Sequence, residues 1–247
     1  MAQRRFIGGH GYGKESGLYF NFFGNLEMKK LVLAQSALLI ALASVQSSMA
    51  QTVEGNPANG HQKVTQCIGC HGLEGYHASF PAVYRVPKIA GQGAKYIASA
   101  LTAYQKGERR HPTMRGVTSN LNAQDIADVA AYYATLGSTS AQVDNSAGHA
   151  NVNALTLIEK GACKSCHGDN FSKPIDPSYP KLAGQYADYL FVALKSYKTE
   201  PNAVVGRGNP VMGGVAKQFS FAELKMIADY VGSLPGELKV VPQPRFR

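Results

Sequence analysis

The sequence lacks several features that would point to other classes of protein. No stretch alternates apolar and polar residues as a strand does, so we expect an all-α protein with long loops. It contains neither a basic recognition helix nor an aromatic stacking platform, and we therefore expect no nucleic-acid partner. No cysteine lies near the N-terminal leader, which argues against a lipid anchor, and all four cysteines fall within two short motifs.

Each of the two cysteine motifs has the form C-x-x-C-H. The two thiols of such a motif lie about one helical turn apart, so they can attach to the two vinyl groups of one haem while the following histidine lies beneath the iron. The pattern predicts two sites of covalent haem c attachment, the first at Cys67, Cys70 and His71 and the second at Cys163, Cys166 and His167.

Two other kinds of site also use paired cysteines. A zinc site built from both pairs would usually separate them by about 15 to 20 residues, whereas 92 residues lie between Cys70 and Cys163. A thioredoxin-like dithiol would follow a strand and has no need of a histidine after its second cysteine. The spacing favours haem attachment over both alternatives.

The first fifty residues have the pattern of a leader. Residues 28–50 combine a charged start, an apolar run and a small-residue cleavage site after Ala50, which predicts a cleaved signal peptide and a periplasmic protein. Residues 1–27 are interpreted as a non-native upstream extension, with translation starting at Met28. An uncleaved membrane anchor is the competing interpretation, although the apolar run of 15 residues falls short of the roughly 20 that span a bilayer.

The rest of the chain repeats itself. Pro-Lys-Ile-Ala-Gly-Gln at 87–92 returns as Pro-Lys-Leu-Ala-Gly-Gln at 180–185, and an amphipathic helix follows each copy. We predict two equivalent domains of about 90 residues, whose small cores would need a buried haem. They span residues 51–137 and 153–247, with 138–152 as linker. Helices are expected near 57–66, 123–136, 153–160 and 221–234.

A second axial ligand is needed for each iron, and methionine is the predicted one. Met114 and Met212 occupy equivalent positions in the two halves, each in what reads as a Pro- and Gly-rich loop. Such repetition is better explained by iron ligation than by gap-filling in a core. His111 is the rival ligand in the first half, but its counterpart Asn209 cannot replace an imidazole. Met226 lies within the last predicted helix and is assigned to packing.

Two hypotheses concern the surroundings of these ligands. The carbonyl oxygens of Pro87 and Pro180 are candidates to accept a hydrogen bond from the second ring nitrogen of each motif histidine, which would orient the ring. A group of basic residues near Met114 would form a docking patch for an acidic partner, with a solvated loop as the alternative. The group consists of Lys106, Arg109, Arg110, His111 and Arg115.

These features together resemble the dihaem cytochrome c4 family, over nearly the whole predicted mature chain. The resemblance rests on both C-x-x-C-H motifs, the repeated Pro-Lys-[Ile/Leu]-Ala-Gly-Gln and the Met-x-Gly-Val around Met114 and Met212. It implies an all-α fold of two tandem class I cytochrome c domains, each with one covalently attached haem c, His/Met ligation, and haem propionate edges that face across the interface. One departure is the longer stretch at 72–86, so the two haem pockets would differ.

The resemblance implies an electron carrier of a respiratory chain and not an enzyme, because six-coordinate iron has no vacant position. The implied partners are redox proteins, with a quinol-oxidising complex as donor and a terminal oxidase as acceptor; peripheral membrane association stays open. One alternative is the dihaem cytochrome subunit of a periplasmic dehydrogenase such as flavocytochrome c sulfide dehydrogenase. Another is a dihaem enzyme such as a peroxidase, which would need an open iron.

Overall fold

Helices make up nearly all the regular structure in the computed structural model, which describes residues 53–137 and 152–242. The predicted signal peptide, the upstream extension and almost all of the predicted linker lie outside the described residues. Val152, the last residue of that linker, already begins a helix. Within the two described ranges, no helix combines the length and the apolar character needed to cross a membrane.

Each half contributes five helices to the described ranges. The first half has α1 Pro57–Lys63, α2 Thr65–His71, α3 Ala94–Lys106, α4 Pro112–Thr118 and α5 Ala123–Thr135. The second half repeats this order with α6 Val152–Lys160, α7 Lys164–His167, α8 Ala187–Lys198, α9 Pro210–Lys217 and α10 Phe221–Ser233.

Four two-residue strands were not predicted, since so short a strand leaves no alternating pattern in a sequence. β1 His77–Ala78 pairs with β2 Tyr84–Arg85 in an antiparallel hairpin within the first half. β3 Arg109–Arg110 pairs with β4 Gly206–Arg207 and thereby joins the two halves. The all-α fold class is confirmed, with these two small ribbons added.

Capping residues account for the clear starts of the last helix in each half. α5 begins after Asn122, whose side chain accepts from the Asp125 amide while the Asp125 carboxylate accepts from the Asn122 amide. α10 repeats this capping box with Ser220 and Glu223. Each box provides partners for amide groups that a helix start otherwise leaves unpaired. The predicted helix at 57–66 is instead divided at Val64 into α1 and α2, and α2 carries the first motif.

In the first half, α1 crosses α5 at very close range. A Cβ at Gly60 would lie 2.1 Å from the Asp128 carbonyl oxygen, so only glycine fits there. The Asp128 side chain is fully buried and accepts from the Asn56 amide at 2.8 Å, Lys63 Nζ at 2.7 Å and Gln124 Nε2 at 2.8 Å. The Asn56 amide, followed by Lys63, lowers the pKa of Asp128 to about 2.

The second half has a larger aromatic core. α10 lies against α8 and α6, and Met226 on α10 packs at the edge of this core, as predicted. Met226 occupies the position that matches Asp128 of the first half, so an apolar side chain stands in the second half where the first has a charged one. The largest fully buried side chains of this core are Phe171, Phe219, Ile158 and Leu224.

The repeated Pro-Lys-x-Ala-Gly-Gln motif joins the two halves by reciprocal hydrogen bonds. Gln92 donates from Nε2 to the Lys181 carbonyl at 2.9 Å, and its Oε1 accepts from the Lys181 amide at 2.9 Å. Gln185 binds Lys88 in the same way, with distances of 2.9 and 3.0 Å. Both glutamines are buried. Each copy of the motif therefore recognises the main chain of the other.

Other contacts between the halves have no symmetric counterpart. Arg85 on β2 pairs with Asp188 at 3.0 Å, and its guanidinium lies 4.3 Å from the centre of the Tyr186 ring. After α10 the chain returns to the first half, where the Lys239 amide donates to the Ala90 carbonyl at 3.1 Å. The first half is thus joined to the second by an ion pair at Arg85 and by a main-chain hydrogen bond at Ala90.

Replacing Asp128 by Asn should change how stability depends on pH. The folded-state pKa of about 2 lies below the ordinary value of 3.8, so ionised Asp128 stabilises the native protein above pH 4, and this contribution is lost as the pH falls towards 2. We expect Asp128→Asn to unfold at lower urea concentration at pH 7 and to lose less stability than the wild type between pH 4 and 2. Asp229→Asn, on the surface of α10, is the control. Parallel pH profiles for wild type and Asp128→Asn would contradict this role.

Removing either interface glutamine should destabilise the protein. Gln92→Ala leaves the amide and carbonyl of Lys181 without these partners, and Gln185→Ala does the same at Lys88, at a cost of roughly 1–3 kcal/mol for each buried group left unpaired. We expect a lower urea midpoint for both variants of the haem-loaded protein. Gln62→Ala, at an exposed position of α1, should unfold like the wild type. Equal midpoints for all three variants would show that the reciprocal bonds contribute nothing.

Candidate haem sites

A cavity of about 360 Å³ lies in the first half, and all four predicted haem-binding residues of that half line it. Cys67, Cys70 and His71 reach it from α2, and Met114 reaches it from α4. Residues 43 positions apart are thereby brought to one cavity. A donor set of two thiols, an imidazole and a thioether around an apolar cavity fits a c-type haem.

The motif histidines are held as predicted. His71 Nδ1 lies 2.8 Å from the Pro87 carbonyl oxygen, and His167 Nδ1 lies 3.2 Å from that of Pro180. Because a carbonyl oxygen can only accept, Nδ1 carries the proton and Nε2 is the nitrogen free to bind a metal. Burial lowers the pKa of both imidazoles, which favours the neutral form that ligates iron.

The cysteines do not have the character of a redox dithiol. No disulfide joins any of the four. Burial raises the pKa of Cys67 to about 11 and also raises the pKa of Cys163, whereas catalytic dithiols depend on a lowered pKa. Among the residues that the structure describes, no group of three or more His, Cys, Asp or Glu side chains is placed to hold a metal ion.

Met114 and Met212 lie on short helices, so their assignment to loops was wrong. Met114 is the third residue of α4 and Met212 is the third residue of α9. The prolines that suggested a loop occupy the first helical position, where the missing N–H has no cost and the fixed φ suits a helix. Both methionines are half-buried. The short helices fix the position of each thioether more firmly than a loop would.

His111 has a structural role that the sequence did not reveal. Its Nδ1 accepts from the Met114 amide at 3.4 Å and caps α4, while its Nε2 lies 3.1 Å from the Tyr84 hydroxyl. Asn209 caps α9 in the same way, because its side chain accepts from the Met212 amide at 3.0 Å. His111 and Asn209 are therefore equivalent as helix caps, which explains how they can occupy matching positions.

The backbone conformation differs between the two C-x-x-C-H motifs. The first lies within a seven-residue helix, whereas α7 covers only four residues of the second. Ala162, just before Cys163, has a φ of 48°, in the left-handed region that alanine rarely adopts. The His167 ring is buried, and the Ile175 amide donates to the Cys166 carbonyl at 3.1 Å. The loop after the second motif thus folds back onto it.

The longer stretch at 72–86 forms one wall of the first cavity. It contains the β1–β2 hairpin, and Tyr76, Phe80 and Tyr84 line the cavity. Opposite lies Tyr133, whose buried hydroxyl has no nitrogen or oxygen partner among the described residues and lies beside Cys67. The matching position in the second half is Val231. The residues around the two predicted haem sites therefore differ, as expected.

The predicted docking patch is wrong for Arg109. Arg109 donates to the Tyr96 hydroxyl at 3.2 Å and lies in the β3–β4 ribbon between the halves. Arg110 donates to the carbonyl oxygens of Gly107 and Asn202. Arg109 is thus engaged at the interface between the halves, while Arg110 stays a predicted member of the patch.

Comparison with known proteins agrees with this geometry. A family model described as Cytochrome c matches residues 57–137 and again 153–235. Cytochrome c4 of Thiocapsa roseopersicina is 30% identical over 186 residues, which cover 73% of this chain and 93% of that protein. The chain belongs to the dihaem cytochrome c4 family.

Two further relatives extend the comparison. The crystal structure of reduced recombinant cytochrome c4 from Pseudomonas stutzeri superimposes with a TM-score of 0.57 at 27% identity, covering 73% of this chain and 99% of that one. A thiosulfate dehydrogenase electron acceptor of Thiomonas intermedia is 29% identical over 182 residues, 70% of this chain and 80% of that protein. As a member of this family, the chain carries two covalently attached haem c groups and is an electron carrier, not an enzyme.

Two substitutions separate Met114 from His111 as the axial ligand of the first haem. His111→Asn gives the first half the cap that the second half already has, so we expect both haems to stay low-spin with the full near-red sulfur-to-iron absorption band. Met114→Ala removes the thioether, and we expect half of that band to be lost and one haem potential to fall, since a thioether favours ferrous iron. A wild-type band at half strength that Met114→Ala leaves unchanged, with a high-spin first haem in His111→Asn, would make His111 the ligand.

Proposed function

We propose that the chain is a periplasmic dihaem carrier that passes electrons from a quinol-oxidising complex to a terminal oxidase, with one haem c in each of two domains, residues 51–137 and 153–247. The observation that carries the proposal is one cavity lined by both a C-x-x-C-H motif and a methionine, with the same residues repeated in the second half. The proposed attachment and ligand residues are Cys67, Cys70, His71 and Met114, then Cys163, Cys166, His167 and Met212.

The chain's own residues account for outer-sphere transfer. When bound, each haem supplies an iron that takes up or gives up one electron. The imidazole of His71 and the thioether of Met114 would fill both axial positions, which leaves no position for a substrate. Pro87 holds the imidazole in one orientation. Ile97, Leu101 and other apolar side chains line the cavity, and low polarity disfavours the extra charge of ferric iron.

Electron exchange inside the molecule is supported by the position of the cavity. Residues of the second half, among them Lys181, Leu190 and Arg207, line the cavity next to His71. The first haem site therefore extends to the boundary between the halves. Such a position fits two haems that share electrons, so that the chain can accept an electron at one half and release it from the other.

The predicted signal peptide supports the assignment to the periplasm. The proposal uses the signal peptide predicted at residues 28–50, translation from Met28 and residues 138–152 as the linker between the domains. These segments lie almost wholly outside the described residues, and the proposal rests there on sequence pattern. A periplasmic carrier can meet complexes anchored in the membrane without an anchor of its own.

A second candidate donor is a periplasmic dehydrogenase. The Thiomonas intermedia relative accepts electrons from thiosulfate dehydrogenase by its name, and a second protein of that name, from Stutzerimonas stutzeri, is 26% identical over 205 residues. Under this alternative the dehydrogenase takes the place of the quinol-oxidising complex, while the haem sites stay the same. Co-purification of the chain with a dehydrogenase would favour this donor, whereas rapid reduction by a quinol-oxidising complex would favour the first.

A redox titration of protein purified from the periplasmic fraction tests the carrier function. We expect two haems per chain, both low-spin, with the sulfur-to-iron band at full strength in the oxidised protein and two one-electron steps at high potential. These values follow because imidazole and thioether ligands occupy both axial positions of each iron. One haem per chain, or a high-spin signal from either iron, would contradict the ligand assignment and favour an enzyme with an open iron.

A further inference from the structure

Two arginines face each other where the two halves meet. Arg109 on β3 and Arg207 on β4 are direct partners in the antiparallel ribbon. They also occupy matching positions of the duplication, each shortly before the predicted methionine ligand of its half. Both side chains are half-buried, and both line the cavity of the first haem site. The duplication has thus placed two cations at one point of the interface.

Each arginine donates to a tyrosine hydroxyl of its own half. Arg109 donates to the Tyr96 hydroxyl at 3.2 Å, and its guanidinium lies 5.2 Å from the Tyr96 ring centre and 5.9 Å from that of Tyr104. These contacts fix the direction of the side chain. They do not neutralise it, because a phenol is ordinarily uncharged at neutral pH. At Tyr197 the two arginines outweigh the effect of burial and lower the pKa of the phenol.

Arg207 repeats the arrangement. It donates to the Tyr189 hydroxyl at 3.0 Å, and its guanidinium lies 5.6 Å from the Tyr189 ring centre and 5.3 Å from that of Tyr197. Two arginines and four tyrosines, one set from each half, therefore form a nearly symmetric cluster at the interface.

None of the described carboxylates pairs with either arginine of this cluster. Other cations at the interface do have such partners, since Arg85 pairs with Asp188 and Lys181 pairs with Glu237. Contacts of a cation with aromatic rings recover only about 0.5–2 kcal/mol, while removal of an ion from water costs several kcal/mol. Two like charges at paired positions also repel each other. The cluster lacks an anion.

We infer that Arg109 and Arg207 bind the propionate carboxylates of the two haems and act as positioning residues that raise the haem potentials and close the interface. The inference rests on the proposed haem sites. A guanidinium presents parallel N–H groups that match a carboxylate, and propionate is the anionic group that a haem brings into such a cavity. One propionate of each haem would neutralise one arginine, so the interface is complete only when both domains carry haem.

Charge removal at these two positions tests the inference in the haem-loaded protein. In Arg109→Gln and Arg207→Gln the propionate is left without its cation. Its unneutralised negative charge then stabilises ferric iron. We expect the ferric-to-ferrous equilibrium of at least one haem to shift roughly tenfold, equivalent to 59 mV for one electron. The propionate would also titrate at higher pH, so the haem potential should become pH-dependent near neutrality.

Neighbouring and conservative variants separate charge from packing. Lys106→Gln removes an exposed cation of the same half that does not line the cavity, and should keep wild-type potentials. Arg109→Lys and Arg207→Lys retain the charge and should stay within about threefold of the wild-type equilibrium. Glutamine variants with wild-type potentials and pH dependence, but lower unfolding midpoints, would overturn the inference, because the arginines would then only pack against tyrosines.

Failure to load haem leaves the test decisive. If a glutamine variant takes up no haem, the lysine variant at the same position decides. A lysine variant that loads with wild-type potentials supports a requirement for charge. A lysine variant that also takes up no haem overturns the inference, because the shape of the arginine would then be what matters. The wild-type titration is read first. Two low-spin haems in the wild type, with unchanged potentials in the glutamine variants, would refute the arginine role and leave the electron-carrier function intact.

Discussion

The hydrogen bond between a motif histidine and a proline carbonyl is the contact on which the rest of the structure depends. It fixes the tautomer of His71 and presents Nε2 to the cavity, and the next residue, Lys88, is bound through its main chain by Gln185 of the other half. Two adjacent residues therefore connect a predicted iron ligand with the interface. A shift of one half against the other would be felt at the imidazole, because only the buried Gln185 side chain and two adjacent residues of main chain lie between them.

The sequence was sufficient to predict the fold class and the pairing of each motif with a methionine, because equivalent positions of the two duplicated halves can be compared. Positions that repeat, such as Met114 and Met212, could be separated from positions that do not, such as Met226. The final helices could be predicted because their apolar periodicity and stop signals are local. Placement of the ligand residues at one cavity is seen for the first half, and their roles as ligands stay predictions.

What the sequence concealed depends on contacts distant in the chain. The proline-rich segments were read as loops because the caps that begin α4 and α9 are side chains of residue types that also occur in loops. The purpose of the repeated Gln could not be predicted, since its partner lies about 90 residues away in the other half. Arg109 looked like part of an exposed patch because strands of two residues leave no periodic signal.

The two halves perform the same chemistry with different surroundings. The first has the hairpin wall, the Tyr84 to His111 hydrogen bond and the unpartnered Tyr133 hydroxyl. At the position of Tyr133 the second half has a valine, and a compact loop folds back onto its motif. Differences of this kind act on hydrogen bonding and polarity near a metal, which are the means by which a protein tunes a redox site. A carrier with two unequal sites has a preferred direction for the electron inside the molecule.

The reciprocal binding of Gln92 and Gln185 has a consequence for the behaviour of whole molecules. Gln92 of the first half binds the Lys181 main chain of the second half, and Gln185 binds the Lys88 main chain in return. The first half of one molecule can therefore pair with the second half of another molecule through the same bonds. The short tether between the halves gives the internal partner an effective concentration in the millimolar range, so the closed monomer dominates in dilute solution. In concentrated solution, exchange of halves would yield a domain-swapped dimer that retains every contact of the monomer's interface.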